Sequence, residues 1–492
     1  MLEEKIRFET LELDLQSFQE IKTDRPQIIF KDRGVEYGKI LEALHEYGPF
    51  DANTNSRILR RSFNGIELLF FYPETPEKER IIDALDKLAQ ILREGYTACK
   101  HYDITFDGMA REFRLTSFYA PERKDFIGYK PGSLSQSVER NMNLIREIQQ
   151  RGNIPIVIVG GSAHRSSRAR QMEYIEVKKE FTKRDISSQY VSYYEEGRRG
   201  LLYSLLEEKS PGLGFEIWNL GLNIYGKAGG IAWIVEQSLS FNVNFADLSI
   251  GLRFARDPRR GGYVVGHATI LDRFGRLVGC VTSRPLRVTG MTISRENMRE
   301  YLKNILKKAL SDQRVKDVYS ISKKKVLNIA LHRLNHFHPK EKQGILQAIN
   351  DIESLYDFKD LKIALISIVK DPSLMLFDVN QRSRDIRWGT AFKLNENTLL
   401  LYTTGSIHRY SKRLSYPIIV MNETDEKHSF ITKHQELAAH ILSLSVLHWQ
   451  TVIPCSVRLP ATIEFAGGVA RLFKFGVYPR QNSQLEKTLW FI

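Results

Sequence analysis

The amino-acid sequence predicts an α/β protein with two sheet-based units, and two stretches carry that prediction. Ile154-Pro155-Ile156-Val157-Ile158-Val159 is a continuous apolar run, the pattern of a strand buried on both faces within a helix-covered parallel sheet. A helical pattern from about Ser167 to Phe181, the stretch Ile186 to Tyr190 and a long helical pattern through Lys227 follow, the alternation of an α/β unit. From Phe245 the texture changes: apolar strands at 248–254, 262–270 and 277–283 precede alternating strands and helices.

The elements can be taken in order. Residues 6–13 alternate as a strand, and Ile28-Ile29-Phe30 is a second apolar patch. Ala43 to Phe50 reads as a helix stopped by Gly48-Pro49. Asn64-Gly65 predicts a hairpin between two short strands within 57–72. Lys78 to Glu94 places Ile81, Leu85, Leu88 and Leu92 on one helical face, and Ser133 to Gln150 predicts a further helix. Gly229-Gly230 ends the helix through Lys227. In the second half, Asp272-Arg273-Phe274-Gly275 predicts a hairpin. Helices are expected over 294–310, 339–356 and 434–447, and strands over 326–330, 361–369, 398–403 and 416–421. Antiparallel strands followed by an α/β part predict a ribonuclease-H-like sheet. The charge-rich stretch Asp378 to Arg387 reads as a mobile loop.

Bulk properties narrow the function. The 492 residues are 42% hydrophobic and 26% charged, ordinary globular composition, and 72 Lys+Arg against 58 Asp+Glu leave a formal charge of +14. Such an excess suits a polyanionic partner or a solvated basic surface. Cys99, Cys280 and Cys455 are far apart, so neither a disulfide framework nor a zinc site is indicated. The charged start Met1-Leu2-Glu3-Glu4-Lys5 lacks a signal-peptide core, and no apolar run approaches the ~20 residues of a membrane helix, so a cytoplasmic protein is expected.

A ribonuclease-H-like sheet cuts nucleic acid with carboxylates that hold divalent metals. Two such acids cannot be assembled from this sequence: the first strand offers Arg253, the strand from Val326 ends in His332-Arg333-Leu334-Asn335, and Glu464 stands alone before Phe465-Ala466-Gly467-Gly468. Asp257 and Asp272 read as solvated loop residues, and His332, His336 and His338 as surface histidines. The basic cluster is more telling. His164, Arg165, Arg168 and Arg170 follow the buried strand, Tyr174 and Lys178 share a helical face, Gln189 opens the next helical region, and Lys227 lies in a last helical turn. Tyr, Lys, Gln and Lys make a donor set for a terminal phosphate, with the Tyr174 ring open to base stacking. Taken singly, Lys227 could cap its own helix and Tyr174/Lys178 could be a solvated face.

These residues carry a resemblance to short prokaryotic Argonaute proteins, which consist of MID and PIWI domains without PAZ. Tyr47-Gly48-Pro49-Phe50 resembles the family's early Y-G-P-[YF] turn, and Tyr174, Lys178, Gln189 and Lys227 its 5′-phosphate pocket. Lys227 to Trp233 is similar to K-x-G-G-x-x-W, Ile250 to Arg253 to I-G-x-D, and Arg458-Leu459-Pro460 to Ala466 to L-P-x…[YF]-A. The apolar close Leu489 to Ile492 also matches, whereas Pro73 to Leu134 matches least. Arg387 to Thr390 and Thr403 to Gly405 look similar to PIWI segments near the duplex.

The resemblance implies N-terminal strands (1–40) packing on PIWI, a Rossmann-like MID domain (41–244) and a ribonuclease-H-like PIWI domain (245–492). It implies a guide strand, RNA in preference to DNA, held by its 5′ phosphate, and a complementary target, single-stranded DNA. It also implies Mg²⁺ or Mn²⁺ bridging that phosphate and the terminal carboxylate of Ile492. The family's catalytic acids fall on Arg253, Leu334 and Gly467, so an inactive PIWI domain is expected, one that recognises targets without cutting. Similar short Argonautes act as sensors for an APAZ-containing effector, a TIR or sirtuin-type NADase or a nuclease, in defence against plasmid or phage DNA, with oligomerisation on activation. The rival expectations are an active guide-directed endonuclease and a guide-independent basic nucleic-acid binder.

Overall fold

The protein is described from a computed structural model. It describes residues 20–492 except 22–25, 32, 37–38, 53–60, 62, 99–103, 163–165, 196–197, 208–211, 236–245, 258–259, 290–291, 323–325, 357, 372–385, 405–415, 454–456 and 481–482. The strand expected at 6–13, the loop at 378–385, His164, Arg165, Gly405, Cys99 and Cys455 lie outside the described residues.

Two sheets organise the chain, as the apolar runs predict. The first has five strands, ordered Ser187–Val191, Asn153–Gly160, Gly65–Pro73 and Ser117–Tyr119, with Ile127–Tyr129 also pairing to Gly65–Pro73. Every pairing in it is parallel. Ile156 to Val159 are fully buried, because helices cover both faces: Phe70 packs into one apolar cluster, and Phe71, Val157 and Val159 into another. The second sheet has eleven strands. Its centre runs Tyr263–Asp272, Leu248–Arg256, Val326–Leu334, Asp360–Val369. The first pair is antiparallel and the next two are parallel, the mixed order expected of a ribonuclease-H-like sheet. Helices Arg295–Ser311 and Pro339–Tyr356 cover one face, and Ala461–Phe473 packs on the other. Strand Glu20–Ile21 joins this second sheet, whereas Gln27–Phe30 and Arg33–Glu36 pair with each other and with Ile234–Val235.

Several expectations need correction. Asn64-Gly65 makes no hairpin: Gly65 opens a strand that pairs in parallel with Asn153–Gly160. A Cβ on Gly65 would lie 2.0 Å from Ser117 Oγ, so that glycine serves strand packing, not a turn. The helix expected over 133–150 breaks into Leu134–Arg140 and Met142–Gln150 at Asn141, whose side chain turns back to the Ser137 carbonyl (2.8 Å). The long helix through Lys227 is Leu213–Lys227, preceded by a separate Leu201–Glu207. Gln189 opens no helix; it sits mid-strand in Ser187–Val191. Asp272 is buried, not solvated: it accepts hydrogen bonds from Phe274 N and Arg276 N (both 2.9 Å) and pairs with Arg276 Nε (2.6 Å), which fixes the hairpin. His332 is likewise buried, against His440 (Nε2 to Nε2 2.9 Å) and Thr462.

Candidate functional site

The first site forms where the parallel sheet meets the last residues of the sequence. Strand Asn153–Gly160 ends in Gly161-Ser162, and a Cβ on Gly161 would lie 2.3 Å from the Tyr190 hydroxyl. With no side chain in the way, Tyr190 reaches Glu173 (2.8 Å), which also holds Ser162 Oγ (2.6 Å). Helix Ser167–Thr182, capped by the Ser166 hydroxyl, is thereby pinned beside the neighbouring strand. One face of that helix turns Tyr174 edge-on to Tyr190 (centroids 6.0 Å) and places the Lys178 ammonium 5.8 Å from the Tyr174 ring centre.

Lys178 is buried. Its ammonium donates to the main-chain oxygens of Ser188 (3.0 Å), Trp490 (2.7 Å) and Ile492 (2.9 Å), which uses all three of its protons. Lys227, also buried, donates to Gln189 Oε1 (2.8 Å) and to the same Ile492 oxygen. It therefore lies in the last turn of its helix without capping that helix's carbonyls. Gly229, at φ +92°, turns the chain away immediately after. Tyr174, Lys178, Gln189, Lys227 and Ile492 thus meet in one place. Neither lysine is paired with a side-chain carboxylate among the described residues. Burial pushes the Lys178 ammonium down to about 7. Lys227 is held well below its ordinary value by burial and by the Lys178 charge. Burial also raises the Tyr174 phenol to about 12.

A buried network that sequence reasoning missed holds this pocket to the rest of the chain. The Tyr47-Gly48-Pro49-Phe50 turn docks on the stretch after Lys227: Phe50 N donates to Ala232 O (2.9 Å) and Asp51 N to Ile231 O (3.3 Å). Asp51, which directly follows that turn, is buried. It accepts from Ile231 N (2.9 Å) and from the Tyr225 hydroxyl, with the Arg61 guanidinium at 3.8 Å. Burial raises its carboxyl to about 6 against the pull of Arg61. An aspartate beside a helix-ending Gly-Pro turn was the available signal, but nothing in its spacing shows burial.

The second site lies on a face of the large sheet, at the positions where the resemblance places metal-binding acids. Gly251 lets helix Ala461–Phe473 lie directly on the sheet, since a Cβ there would be 2.1 Å from the Thr462 carbonyl oxygen. Gly467 on that helix faces Arg253: a Cβ on Gly467 would be 3.6 Å from Arg253 Nε. Leu334 lies one residue beyond the registered pair Leu252–Arg333, hence beside Arg253. The three positions therefore converge. Arg253 is half-buried, which lowers its pKa while Glu464 raises it; Glu464 also lies 3.7 Å from Arg471. Arg333 points elsewhere, paired with buried Glu341 and stacked near Phe254 (5.3 Å) and Phe337 (5.7 Å).

Among the described residues, one group of side chains could hold a metal ion: His45, Asp107 and Glu112, with ligand atoms within 4.8 Å of one another. The buried Glu112 carboxylate is already matched by His45 Nδ1 (2.9 Å) and Asp107 N (2.6 Å), and Asp107 pairs with Arg111 (3.1 Å). No helix among the described residues is long and apolar enough to cross a membrane.

No family model matches the chain, and no curated protein matches it. Solved structures do. Clostridium butyricum Argonaute bound to a guide DNA and a 19-mer target DNA matches over 94% of this chain and 54% of its own, at TM-score 0.61 and 18% identity. Marinitoga piezophila Argonaute in complex with 5′ OH guide RNA matches over 93% and 59%, at TM-score 0.59 and 14% identity. Drosophila Piwi matches over 96% and 56%, at TM-score 0.58 and 13% identity. The chain spans a little over half the length of each of these structures. It has an Argonaute-type fold.

Proposed function

We propose that this protein binds a guide strand by its 5′ phosphate, pairs it with a complementary nucleic acid and does not cut. One observation carries the reading: two buried lysines converge on the Ile492 main-chain oxygen beside Tyr174 and Gln189, so that two cations face at most one carboxylate, that of Ile492. A pocket of this kind favours an anion. Lys178 spends its protons on main-chain oxygens, so its part is to hold the tail and to supply charge. Lys227 retains a proton for a phosphate oxygen, and the half-buried Tyr174 and Gln189 offer neutral hydrogen bonds. The Argonautes of Clostridium butyricum and Marinitoga piezophila, solved with guide DNA and guide RNA, support a strand as the ligand. A guide RNA and a single-stranded DNA target are the pair we favour, in the cytoplasm.

The Ile492 main-chain oxygen and Gln189 Oε1 are hard oxygen donors that suit Mg²⁺ or Mn²⁺. The two ammonium groups beside them admit a cation only together with the phosphate. Such an ion would neutralise the repulsion between phosphate and terminal carboxylate. The converged Arg253, Leu334 and Gly467 offer no carboxylate for a cleavage metal, which is the basis for a non-cutting role. On the same reading the output is delegated to an APAZ-containing effector, of TIR, sirtuin or nuclease type, in defence against invading DNA, with oligomerisation on activation.

The test is direct. Protein loaded with a 5′-phosphorylated guide is incubated with complementary target and Mn²⁺. Retained target without cleavage is expected, and a guide-dependent cut at one phosphodiester overturns the reading. Equal affinity for 5′-phosphorylated and 5′-hydroxyl strands favours a basic protein that needs no guide.

A further inference from the structure

Helix Ser167–Thr182 has a second face that the guide reading does not use. It borders a groove of about 630 Å³, lined among others by Tyr129, Leu134, Met172, Glu173, Glu176 and Phe475. Two apolar side chains stand at its rim: Met172 on the helix is 56% exposed, and Phe475, just after helix Ala461–Phe473, is 44% exposed. Tyr129 is buried, and among the described residues its hydroxyl has no hydrogen-bond partner. Glu173 and Glu176 lie close enough to raise that phenol's pKa, after burial itself.

The charge of the groove is opposite to that of the chain. Glu173, Glu176 and Glu180 are three and four residues apart and form one stripe on the helix, and Lys179 is the single cation among the described lining residues. Glu173 is engaged by Ser162 and Tyr190, and Glu180 by Lys183 and Arg184. Glu176 has no ion pair among the described residues, and burial and its two acidic neighbours raise its carboxyl. A phosphate backbone is repelled here, although the molecule as a whole carries +14. An apolar floor with an unpartnered hydroxyl and an uncompensated carboxylate calls for a ligand that is part apolar and part cationic. The groove's volume suits a few side chains of a peptide segment.

We propose that this groove docks a partner protein through a segment that presents lysine or arginine between apolar side chains. The groove is built both from the helix that carries Tyr174 and Lys178 and from the chain just beyond the helix that carries Gly467. Its occupant would therefore touch the supports of both candidate sites. The proposal does not depend on the guide reading.

Fluorescence anisotropy of the full chain with a labelled nonapeptide of alternating leucine and lysine tests it, with a leucine–glutamate peptide as control. The basic peptide should bind and the acidic one should not. Glu176→Lys should weaken binding by about tenfold or more and Met172→Ser by about threefold, both side chains being exposed. Both variants should keep the affinity for a 5′-phosphorylated strand, so failure here is separable from failure of the guide pocket. Equal binding of the two peptides, or unchanged binding by both variants, overturns the proposal. A self-dimer that sediments without peptide and is dissociated by these variants also overturns it, in favour of a second copy.

Discussion

The two sites of this molecule use cations in opposite ways. In the pocket at the parallel sheet, Lys178 and Lys227 are buried among neutral side chains and main-chain oxygens, with at most the one carboxylate of Ile492 between them. On the central strand of the large sheet, Arg253 is half-buried, has Glu464 within electrostatic reach, and faces the bare backbone of Gly467. Burying two ammonium groups together is costly unless an anion joins them. Such a pair is a poor stabiliser of the free fold and a strong selector of ligand. The Arg253 arrangement is closer to balance and selects little. Position near a family motif does not distinguish the two sites; the partners of each cation do.

The largest test of this contrast removes Lys178. Lys178→Met strips the donor from three main-chain oxygens and frees the Trp490–Ile492 segment. Chemical denaturation should show a loss of about 1–3 kcal/mol, because three main-chain oxygens left without a donor outweigh the relief of one buried charge. Guide affinity should fall by more than about 100-fold, because the pocket wall goes with the charge. Retained stability would mean that the tail contact is incidental.

Lys227→Ala should act more narrowly. Deleting one charge-assisted hydrogen bond to phosphate costs about 1.5–3 kcal/mol, or roughly 10- to 100-fold in Kd. The loss should appear with a 5′-phosphorylated strand and stay below about threefold with a 5′-hydroxyl strand, read by filter binding. A uniform loss would place Lys227 in a general backbone contact instead.

Protonation sharpens the same point. Lys178 is pushed down to about 7 in the free protein, and a bound phosphate dianion favours its charged form again, so binding takes up a proton. Affinity for a 5′-phosphorylated strand should therefore fall as pH rises above about 7, by up to tenfold per unit, with the 5′-hydroxyl strand as a flat control. The stability of the free protein should move the other way. A lysine with a depressed folded pKa binds fewer protons than its unfolded counterpart between about 7 and 10.5, so its cost to the fold shrinks across that window.

The fold was legible where a local pattern and tertiary environment agreed. The apolar run 154–159 is a central parallel strand because both its faces are covered, and helix Pro339–Tyr356 has the bounds its periodicity predicts. Local signals failed where a long-range contact overrode them. Asn64-Gly65 has hairpin chemistry, but the following strand is claimed by Asn153–Gly160, and Gly65 is fixed by its closeness to Ser117. His332 looked exposed because nothing in its own segment shows that His440 meets it in the interior, whereas Asp272 is buried by a partner only four residues on, Arg276, whose pairing the hairpin pattern alone does not show. The structure brings Tyr174, Lys178, Gln189 and Lys227, which the resemblance grouped, to one place, whereas the local pattern put Gln189 at a helix start and not in a strand. The resemblance said nothing of Asp51, whose partners Tyr225 and Ile231 lie more than 170 positions along the chain. The saturation of Lys178 by Ser188, Trp490 and Ile492 was equally unreadable, because it depends on where the tail folds back.

The smallest expected effect completes the contrast. Arg253→Ala removes a half-buried guanidinium whose nearest acid, Glu464, is already close to Arg471. The change should leave affinity for a 5′-phosphorylated strand within about twofold, since among the described residues Arg253 bonds none of the pocket's members. If Arg253 instead faces the backbone of the paired target, the salt slope of target binding should drop by about one unit, with no change in sequence preference. An unchanged slope would make Arg253 a structural filler of the space beside Gly467. A loss of 5′-phosphate selectivity on this substitution would break the contrast itself, because it would show that the two sites bind their cations' partners as a single unit.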